Sequence, residues 1–354
     1  MSAHALRQAL GVLPATVVIV CAIPAVAWAD GAITGWGSNS HGQIDAPSGE
    51  DFRFIVAAGY HSLALRADGS LAGWGYNGEG QIDVPGGNDY SRIAAGGFHS
   101  LALKDDGTLV GWGWNNEGQI DVPSGNDYTA VAAGDLHSLA LKSDGSIVVW
   151  GSDGFNQVSD APDGTGFIAI AGGGLYSLAL HGDGSLVAWG SDSDGQVSDV
   201  PAGNDFIAIS AGDYHCLALK SDHSIVGWGW NAYGQTNVPE GNEYAAVAAG
   251  YSFSVALKFD GTLEAWGSHW AGQTDVPTGD NFAGIDAGYA HGLALTDVGG
   301  GIPGDIDGDG DVDTADLLLL LGDWGCTGGG CVGDINGDGV TDTVDLLLLL
   351  GNWG

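Results

Sequence analysis

The sequence predicts a mainly β protein: a seven-bladed β-propeller of short antiparallel blades, followed by a small α-helical module built on a duplicated calcium loop. Two observations lead to this prediction. One motif recurs seven times, every 38 or 39 residues, and two acidic loops with the same spacing follow it. A repeat of about 40 residues with short strands is typical of a propeller blade. The predicted segments are a signal peptide (1–29), the propeller (30–298), a glycine-rich linker (299–303) and the calcium-binding module (304–354).

The first segment has the features of a secretory signal. Arg7 precedes an apolar run that ends in Ala27-Trp28-Ala29, a small-x-small cleavage pattern. We expect cleavage before Asp30 and a secreted bacterial protein that is extracellular, periplasmic or held at the cell surface. No later stretch has the roughly 20 apolar residues that a membrane-spanning helix needs, so no span is expected in the mature chain.

The repeat is marked by a Trp-Gly pair that recurs at steps of 38, 38, 38, 39, 39 and 38 residues. Each copy carries three strand signals, such as "YTAVAAG", "HSLALK" and "GSIVVWG". Asp-Gly separates the second and third signals in five of six internal copies, and Asp222-His223 does so in the other. Because Asp-Gly favours the tight turn of a hairpin, each copy predicts a three-stranded antiparallel meander. The tryptophans, expected in the core between blades, are Trp36, Trp74, Trp112, Trp150, Trp189, Trp228 and Trp266.

The order of the strand signals predicts a closed ring. The repeats begin with a third strand, "AITGWG", and end with a first and a second strand, "IDAGYAHGLAL". Pairing of these two ends completes a seventh blade and removes the exposed sheet edges that an open array would leave.

The stretch "AAGGFHSLALKDDGTLVGWGWNNEGQ" resembles the repeat of the regulator of chromosome condensation family. The short period and "GQIDVP" are more similar still to the secreted bacterial branch that includes a β-lactamase inhibitory protein with a seven-bladed propeller. The resemblance covers roughly residues 31–296. It implies a seven-bladed propeller, and it implies that one face of the propeller binds a partner.

Histidine occupies one repeat position in five copies, but Tyr176 and Phe253 occupy it in the other two. Phenylalanine cannot replace a catalytic base or a metal ligand, so these histidines are expected to be structural. The serines that follow them are replaced by Cys216 and Gly292 in two copies, so we expect packing there too, with Cys216 buried. No nucleophile–base pair or phosphate-binding loop is visible, and an enzyme is not expected. Repeated glutamines are expected to brace loops: Gln43, Gln81, Gln119, Gln157, Gln196, Gln235 and Gln273.

Strand direction places the loops after Ala-Gly and after Trp-Gly on one face, and the Asp-Gly turns on the other. Aromatic residues on loops above a rigid scaffold are typical binding anchors. The first face is therefore predicted to bind a protein or a glycan, although some of its rings could instead cover the blade tops as local core. The ligand-face candidates are Tyr60, Tyr76, Phe98, Trp114, Phe155, Tyr214, Trp230, Tyr233, Tyr251 and Trp270.

The charge of the chain disfavours two classes of partner. The net charge of −36 disfavours nucleic acid and anionic membranes. On the face with the Asp-Gly turns, a weak basic rim among aspartates is expected from the residues that directly precede the turns: Arg66, Lys104, Lys142, His181, Lys220 and Lys258.

Two acidic loops follow the linker, "DIDGDGDVDTAD" and "DINGDGVTDTVD". Both fit the calcium-loop pattern of oxygen ligands at positions 1, 3, 5, 7, 9 and 12 with glycine at position 6, here Gly310 and Gly339. Two calcium ions are therefore expected. Their ligands would be Asp305, Asp307, Asp309, Asp311 (carbonyl), Asp313 (through water) and Asp316, and then Asp334, Asn336, Asp338, Val340 (carbonyl), Asp342 and Asp345.

Aspartate at position 12, duplication of the loop and a leucine-rich helix after each loop resemble a type I dockerin over residues 304–354. The resemblance implies attachment to an extracellular protein, such as a cohesin-like partner. Loop positions 10 and 11 hold Thr-Ala and Thr-Val here, where cellulosomal dockerins usually have hydroxyl pairs. Cys326 and Cys331 are separated by four residues in a chain expected to be secreted, which makes them a candidate local disulfide.

These patterns leave three functional hypotheses. The first is a secreted, non-catalytic binding or scaffold protein whose calcium-loaded module attaches it to another extracellular component. The second is an inhibitor of an extracellular enzyme that acts through the aromatic face. The third is a component or enzyme of an extracellular polysaccharide-degrading system.

Overall fold

A computed structural model describes residues 31–296, and every regular element in this range is a β-strand. The strands form seven three-stranded antiparallel sheets, which confirms the predicted meanders. The strands are β1 Ile33–Gly37, β2 Phe52–Ala57, β3 His61–Arg66, β4 Leu71–Gly75, β5 Tyr90–Ala95, β6 His99–Lys104, β7 Leu109–Gly113, β8 Tyr128–Ala133, β9 His137–Lys142, β10 Ile147–Gly151, β11 Phe167–Gly172, β12 Tyr176–His181, β13 Leu186–Gly190, β14 Phe206–Ala211, β15 His215–Lys220, β16 Ile225–Gly229, β17 Tyr244–Ala249, β18 Phe253–Lys258, β19 Leu263–Gly267, β20 Phe282–Ala287 and β21 His291–Thr296.

Each sheet is one blade. Blade 1 is β2–β4, and the count runs along the chain to blade 6 (β17–β19) and blade 7 (β20, β21 and β1). The first strand of each blade faces a central channel, whose wall includes Ile55, Ala94 and Ile285. The second strand lies in the middle of the sheet, and the third strand lies outermost.

Blade 7 closes the ring as predicted. β1 pairs antiparallel with β21, from Ile33 opposite Leu295 to Gly37 opposite His291. Gly31 also bridges to Phe52 of blade 1 through a reciprocal pair of backbone hydrogen bonds of 2.9 and 3.2 Å. The first described strand thus joins the two ends of the repeat array, and the middle strand of blade 7 has no free edge.

The middle strands carry His-Ser-Leu-Ala-Leu-Lys or a close variant, and the first five residues of each are buried. Neighbouring blades cover both sides of these strands, so their apolar residues run together rather than alternate. The core is accordingly a set of clusters between blades. In one of them, Val56 and Leu65 of blade 1 pack with Tyr90, Ile93 and Trp112 of blade 2.

A polar latch also joins successive blades. The Nε2 atom of His61 lies 3.0 Å from the Ser100 hydroxyl, and Ser100 donates to the Gln81 carbonyl at 2.9 Å. Trp112 Nε1 donates to the same carbonyl at 2.9 Å. Because the only hydroxyl proton of Ser100 goes to Gln81, the hydrogen bond to His61 requires a proton on Nε2, and burial lowers the pKa of His61 to about 3. The predicted structural role of this position is confirmed.

The latch recurs with local substitutions. The equivalent His–Ser distances are 2.9 Å for His99–Ser138, 2.8 Å for His137–Ser177, 2.9 Å for His215–Ser254 and 3.0 Å for His291–Ser62. The seven tryptophans of the Trp-Gly pairs all donate from Nε1 to glutamine carbonyls. In blade 4 the Tyr176 hydroxyl contacts the carbonyls of Gly212 and His215, and the buried Cys216 thiol lies 3.2 Å from it. The glutamines also brace their own loops, as predicted: Gln81 Oε1 accepts the Glu79 N–H.

The basic rim expected on the turn face is not available as free positive charge. Arg66 pairs with Asp51 at 2.7 Å and lies over the Phe52 ring, and Lys104 pairs with Asp89 at 2.9 Å. The other three lysines on this face pair with Asp127, Asp205, and both Glu243 and Glu264. In these five blades a carboxylate from the start of the blade lies beside the end of the middle strand, so the basic residues do lie among acidic ones but present no free positive charge.

Residues 1–30 and 297–354 lie outside the described residues. The signal peptide, the linker, both calcium loops and the Cys326–Cys331 pair therefore stay predictions. Within residues 31–296, no helix is long and apolar enough to cross a membrane.

Candidate functional site

The loops at one end of the blades place three positions of each blade around the channel mouth. The inner position is two residues before the middle strand, the middle position directly before it, and the outer position directly after the outer strand. In every blade the outer N–H donates to the middle carbonyl, as from Tyr76 to Tyr60 at 2.9 Å. The inner positions are Gly59, Gly97, Asp135, Gly174, Asp213, Tyr251 and Tyr289; the middle ones are Tyr60, Phe98, Leu136, Leu175, Tyr214, Ser252 and Ala290; the outer ones are Ser38, Tyr76, Trp114, Ser152, Ser191, Trp230 and Ser268.

Nine aromatic side chains of this face form one continuous series of contacts, which we call the aromatic arc. Ring centroids in contact are 4.1 to 6.4 Å apart, in stacked, tilted or edge-on pairs, and Tyr76 joins the series through Phe98. Such geometries are favourable for aromatic pairs. The arc crosses blades 2, 1, 7, 6 and 5, and its members are Trp114, Phe98, Tyr76, Tyr60, Tyr289, Tyr251, Tyr214, Trp230 and Tyr233.

Eight of the ten predicted ligand-face residues belong to the arc, and two do not. Phe155 and Trp270 are exposed to 53% and 67% and contact no other ring in the described part of the chain. Tyr233, at the end of the arc, is exposed to 56%. The remaining members are half-buried, so each presents part of its ring to solvent while its neighbours hold it in place.

Tyr289 is the arc residue that the sequence prediction missed. It contacts Tyr251 at 4.1 Å and Tyr60 at 5.4 Å, and so connects the rings of blades 5 and 6 with those of blades 1 and 2. The signal was present in the repeat alignment, because Tyr251 and Tyr289 share the inner position.

The inner position also holds two carboxyl groups that the sequence prediction did not single out. Asp135 of blade 3 and Asp213 of blade 5 flank Gly174 of blade 4 and line the channel mouth. The Asp135 N–H donates to the Gly174 carbonyl at 3.2 Å, and the Gly174 N–H donates to the Asp213 carbonyl at 3.3 Å. Backbone hydrogen bonds thus fix the spacing of these three loops.

Burial raises the pKa of both carboxyl groups. The pKa of Asp213 is raised well above its ordinary value by burial first and by the charge of Asp135 second. Burial likewise raises the pKa of Asp135. Neither carboxyl accepts a hydrogen bond from the described residues, so nothing within residues 31–296 offsets the cost of ionising them.

The seven lysine and arginine residues between positions 31 and 296 all lie away from this face. Five of them end the middle strands, just before the turns of the opposite face, and Arg53 and Arg92 lie near the turn-side ends of the first strands of their blades. The aromatic face carries carboxylates instead, among them Glu79 and Glu117, which are exposed. Around the arc, this part of the chain therefore has negative charge and no lysine or arginine.

The channel below the mouth is mostly apolar, with one carboxyl group in its wall. Asp286 accepts the Ala57 N–H at 2.8 Å, and burial raises its pKa to about 7. Ser210, at the same level on blade 5, accepts the Ala249 N–H at 2.9 Å. Among the described residues no three His, Cys, Asp or Glu side chains are grouped so that they could hold a metal ion.

Sequence comparison matches five stretches of the chain to the model described as "Regulator of chromosome condensation (RCC1) repeat": residues 53–81, 90–119, 128–157, 167–196 and 206–235. These stretches cover successive blades from blade 1 to blade 5 and the loops that follow them. The described residues form an RCC1-type propeller. No curated protein matches the sequence of the chain.

Solved structures support the same fold. Prp20p from Saccharomyces cerevisiae superposes with a TM-score of 0.63 at 19% identity, over 77% of this chain and 93% of that one. Human WBSCR16 gives a TM-score of 0.63 at 17% identity, over 75% and 98% of the respective chains. The ectodomain of the receptor kinase CR4 from Physcomitrella patens gives 0.56 at 24% identity, over 66% of this chain and 65% of that one. At these identities the similarity extends to the RCC1-type fold alone.

Proposed function

We propose that this chain is a non-catalytic protein-interaction scaffold and that the aromatic arc is its binding surface. The observation that carries the proposal is the continuity of nine partly exposed rings across five blades of one face. Aromatic side chains offer large contact areas with few rotatable bonds, and they dominate the energetics of many protein interfaces.

The rigidity of the scaffold supports this proposal. The outer position of each blade is hydrogen-bonded to its middle position, and a buried latch from histidine or Tyr176 joins six of the seven blades to the next. A surface that is already ordered loses little conformational entropy on binding. RCC1-type propellers include Prp20p, whose structure was described with its binding properties to Gsp1p and histones, and a protein partner is proposed here by analogy.

The segments outside residues 31–296 extend the proposal on the basis of sequence alone. We propose that residues 1–29 direct secretion and that residues 304–354 bind two calcium ions and attach the propeller to an extracellular protein. In this arrangement the calcium-binding module anchors the chain, and the aromatic face holds a second partner.

The test compares two double variants of the full-length chain in affinity capture from the extracellular fraction of the source organism. Trp114→Ala with Trp230→Ala removes two rings of the arc, whereas Phe155→Ala with Trp270→Ala removes two aromatic side chains predicted on the same face but outside the arc. We expect the first pair to lose a captured protein that the second pair retains. Equal capture by both variants, with unchanged melting temperatures, would refute the proposal, and capture of a polysaccharide instead would identify a glycan-binding face.

A further inference from the structure

We propose that the pocket at the channel mouth, lined by Asp135, Asp213 and Tyr289, binds a lysine or arginine side chain of the partner protein. This inference rests on the proposed function, because it assigns the chemistry of the group that enters the centre of the same face.

The pocket is open because three of the seven inner positions are glycine. Asp135 and Asp213 line its wall together with Tyr289 and the backbone at the ends of the inner strands. A Cβ atom at Gly174 would stand 3.4 Å from Asp135 Oδ2, and one at Gly97 would stand 3.3 Å from Asp135 Oδ1. The two oxygens of Asp135 therefore face glycines of the two neighbouring blades, where no side chain covers them.

The carboxyl groups lack a counterpart of opposite charge. Neither accepts a hydrogen bond from residues 31–296, and no lysine or arginine of this range lies on their face. Burial of an unpaired carboxylate is unfavourable, and a second carboxylate beside it makes ionisation more unfavourable. A cation placed between them would form charge-assisted hydrogen bonds with groups that are already partly desolvated, so part of that cost would precede binding.

The surroundings favour an organic cation over a metal ion. Tyr289 lines the pocket and is stacked on Tyr251 at 4.1 Å, and aromatic rings attract ammonium and guanidinium groups. A calcium ion takes six to eight oxygen ligands, whereas the described residues offer no group of three acidic or histidine side chains here. A guanidinium can also present two parallel N–H groups to one carboxylate.

The direct test uses N-acetyl-arginine amide and N-acetyl-lysine amide as probes, with N-acetyl-citrulline amide as the neutral control, on the full-length chain. The readout is the NMR shift of the Tyr251 and Tyr289 ring resonances during titration. We expect saturable shifts with the two cationic probes and none with citrulline. The double variant Asp135→Asn with Asp213→Asn should weaken probe binding at least tenfold.

The matched control is Glu79→Gln with Glu117→Gln, which removes the same number of charges from exposed positions of the same face. We expect it to bind the probes as the unmodified chain does. Equal weakening in both variants would show a diffuse charge effect, and shifts of the same size with citrulline would show binding without charge recognition; either result overturns the inference. Displacement of the probe by calcium ions, followed at the same tyrosine resonances, would do so as well.

Partner capture separates this inference from the proposed function. If the asparagine variant keeps the partner while Trp114→Ala with Trp230→Ala loses it, the face binds the partner but the pocket does not receive a cation. If all variants keep the partner, both proposals fail. Loss of capture in the asparagine variant and in the tryptophan variant, but in neither control, supports both.

Discussion

Tyr289 stacks on Tyr251 with ring centroids 4.1 Å apart, although the two residues belong to neighbouring blades. Tyr289 also contacts Tyr60 of blade 1 at 5.4 Å. Tyr60 lies near the start of the repeat array and Tyr289 near its end, and the two meet because β1 pairs with β21. Closure of the ring therefore makes one surface from two groups of aromatic residues.

Tyr289→Ala should weaken partner binding by about 2 kcal/mol, or roughly 30-fold in Kd, because it removes the ring at the centre of the arc. Trp270→Ala, which removes an exposed ring outside the arc, should change the Kd by less than about threefold. Titration calorimetry with the captured partner measures both values. A smaller effect for Tyr289 than for Trp270 would contradict the assignment of the binding surface to the arc.

The latch between blades predicts that His99 and Ser138 stabilise the fold as a pair. Ser138→Ala leaves the buried Nε2–H of His99 without an acceptor and should lower the unfolding free energy by about 1–3 kcal/mol. His99→Phe should be destabilising by a similar amount, because a larger ring meets the Ser138 side chain.

One natural pair combines a large ring with a small neighbour: Phe253 takes the histidine position of blade 6, and Gly292 takes the serine position of blade 7. His99→Phe combined with Ser138→Gly should therefore be more stable than His99→Phe alone. Chemical denaturation of the single and double variants measures the coupling. Additive losses in the double variant would show that the two positions do not interact.

The buried histidines make the propeller sensitive to acid. Burial lowers their folded pKa values to about 3, or about 4 for His137, so the unfolded state binds more protons below about pH 6.5. Their contribution to stability is present above pH 6.5 and is lost as the pH falls towards the folded pKa values. Each histidine that is protonated in the unfolded state but not in the folded state changes the unfolding free energy by about 1.4 kcal/mol per pH unit.

The buried carboxyl groups act in the opposite direction. The folded pKa is about 7 for Asp286 and is raised for Asp135 and Asp213, so their contribution is present below the unfolded pKa and is lost as the pH rises. Five histidines outnumber three aspartates, and we expect a net loss of stability from about pH 6 to pH 4. Asp135→Asn with Asp213→Asn should steepen this loss and raise the melting temperature at neutral pH. A flatter profile in that variant would contradict the assignment.

Removal of calcium should unfold residues 304–354 and leave the propeller folded. The acidic ligands of each loop repel one another when no ion is bound. The five leucines that follow each loop are expected to be buried only while the module is folded. Calorimetry with chelator should lose one transition and retain another, and added calcium should restore the first. A thermogram and circular dichroism spectrum that are unchanged by chelator would argue against the calcium module.

The repeat period was enough to predict the blades and their closure, because each copy marks its own strands and turn locally. The side-chain contacts between strands and between blades were harder to predict from the sequence. Arg66 pairs with Asp51 across the start and end of two strands, which cancels the basic rim that the residues before the turns suggested. Tyr289 and the Asp135–Asp213 pair interact with residues one or more blades away, and the sequence pattern within one repeat does not record such contacts.

The direction of β21 has a consequence for how the molecule is held. This strand runs from His291, at the aromatic face, to Thr296, at the turn face, where Thr296 bonds Ala32 beside the other end of the described chain. The chain after residue 296 therefore starts from the face opposite the aromatic arc. If the segment after residue 296 attaches the protein to a partner, as we propose, that attachment begins on the face opposite the aromatic arc.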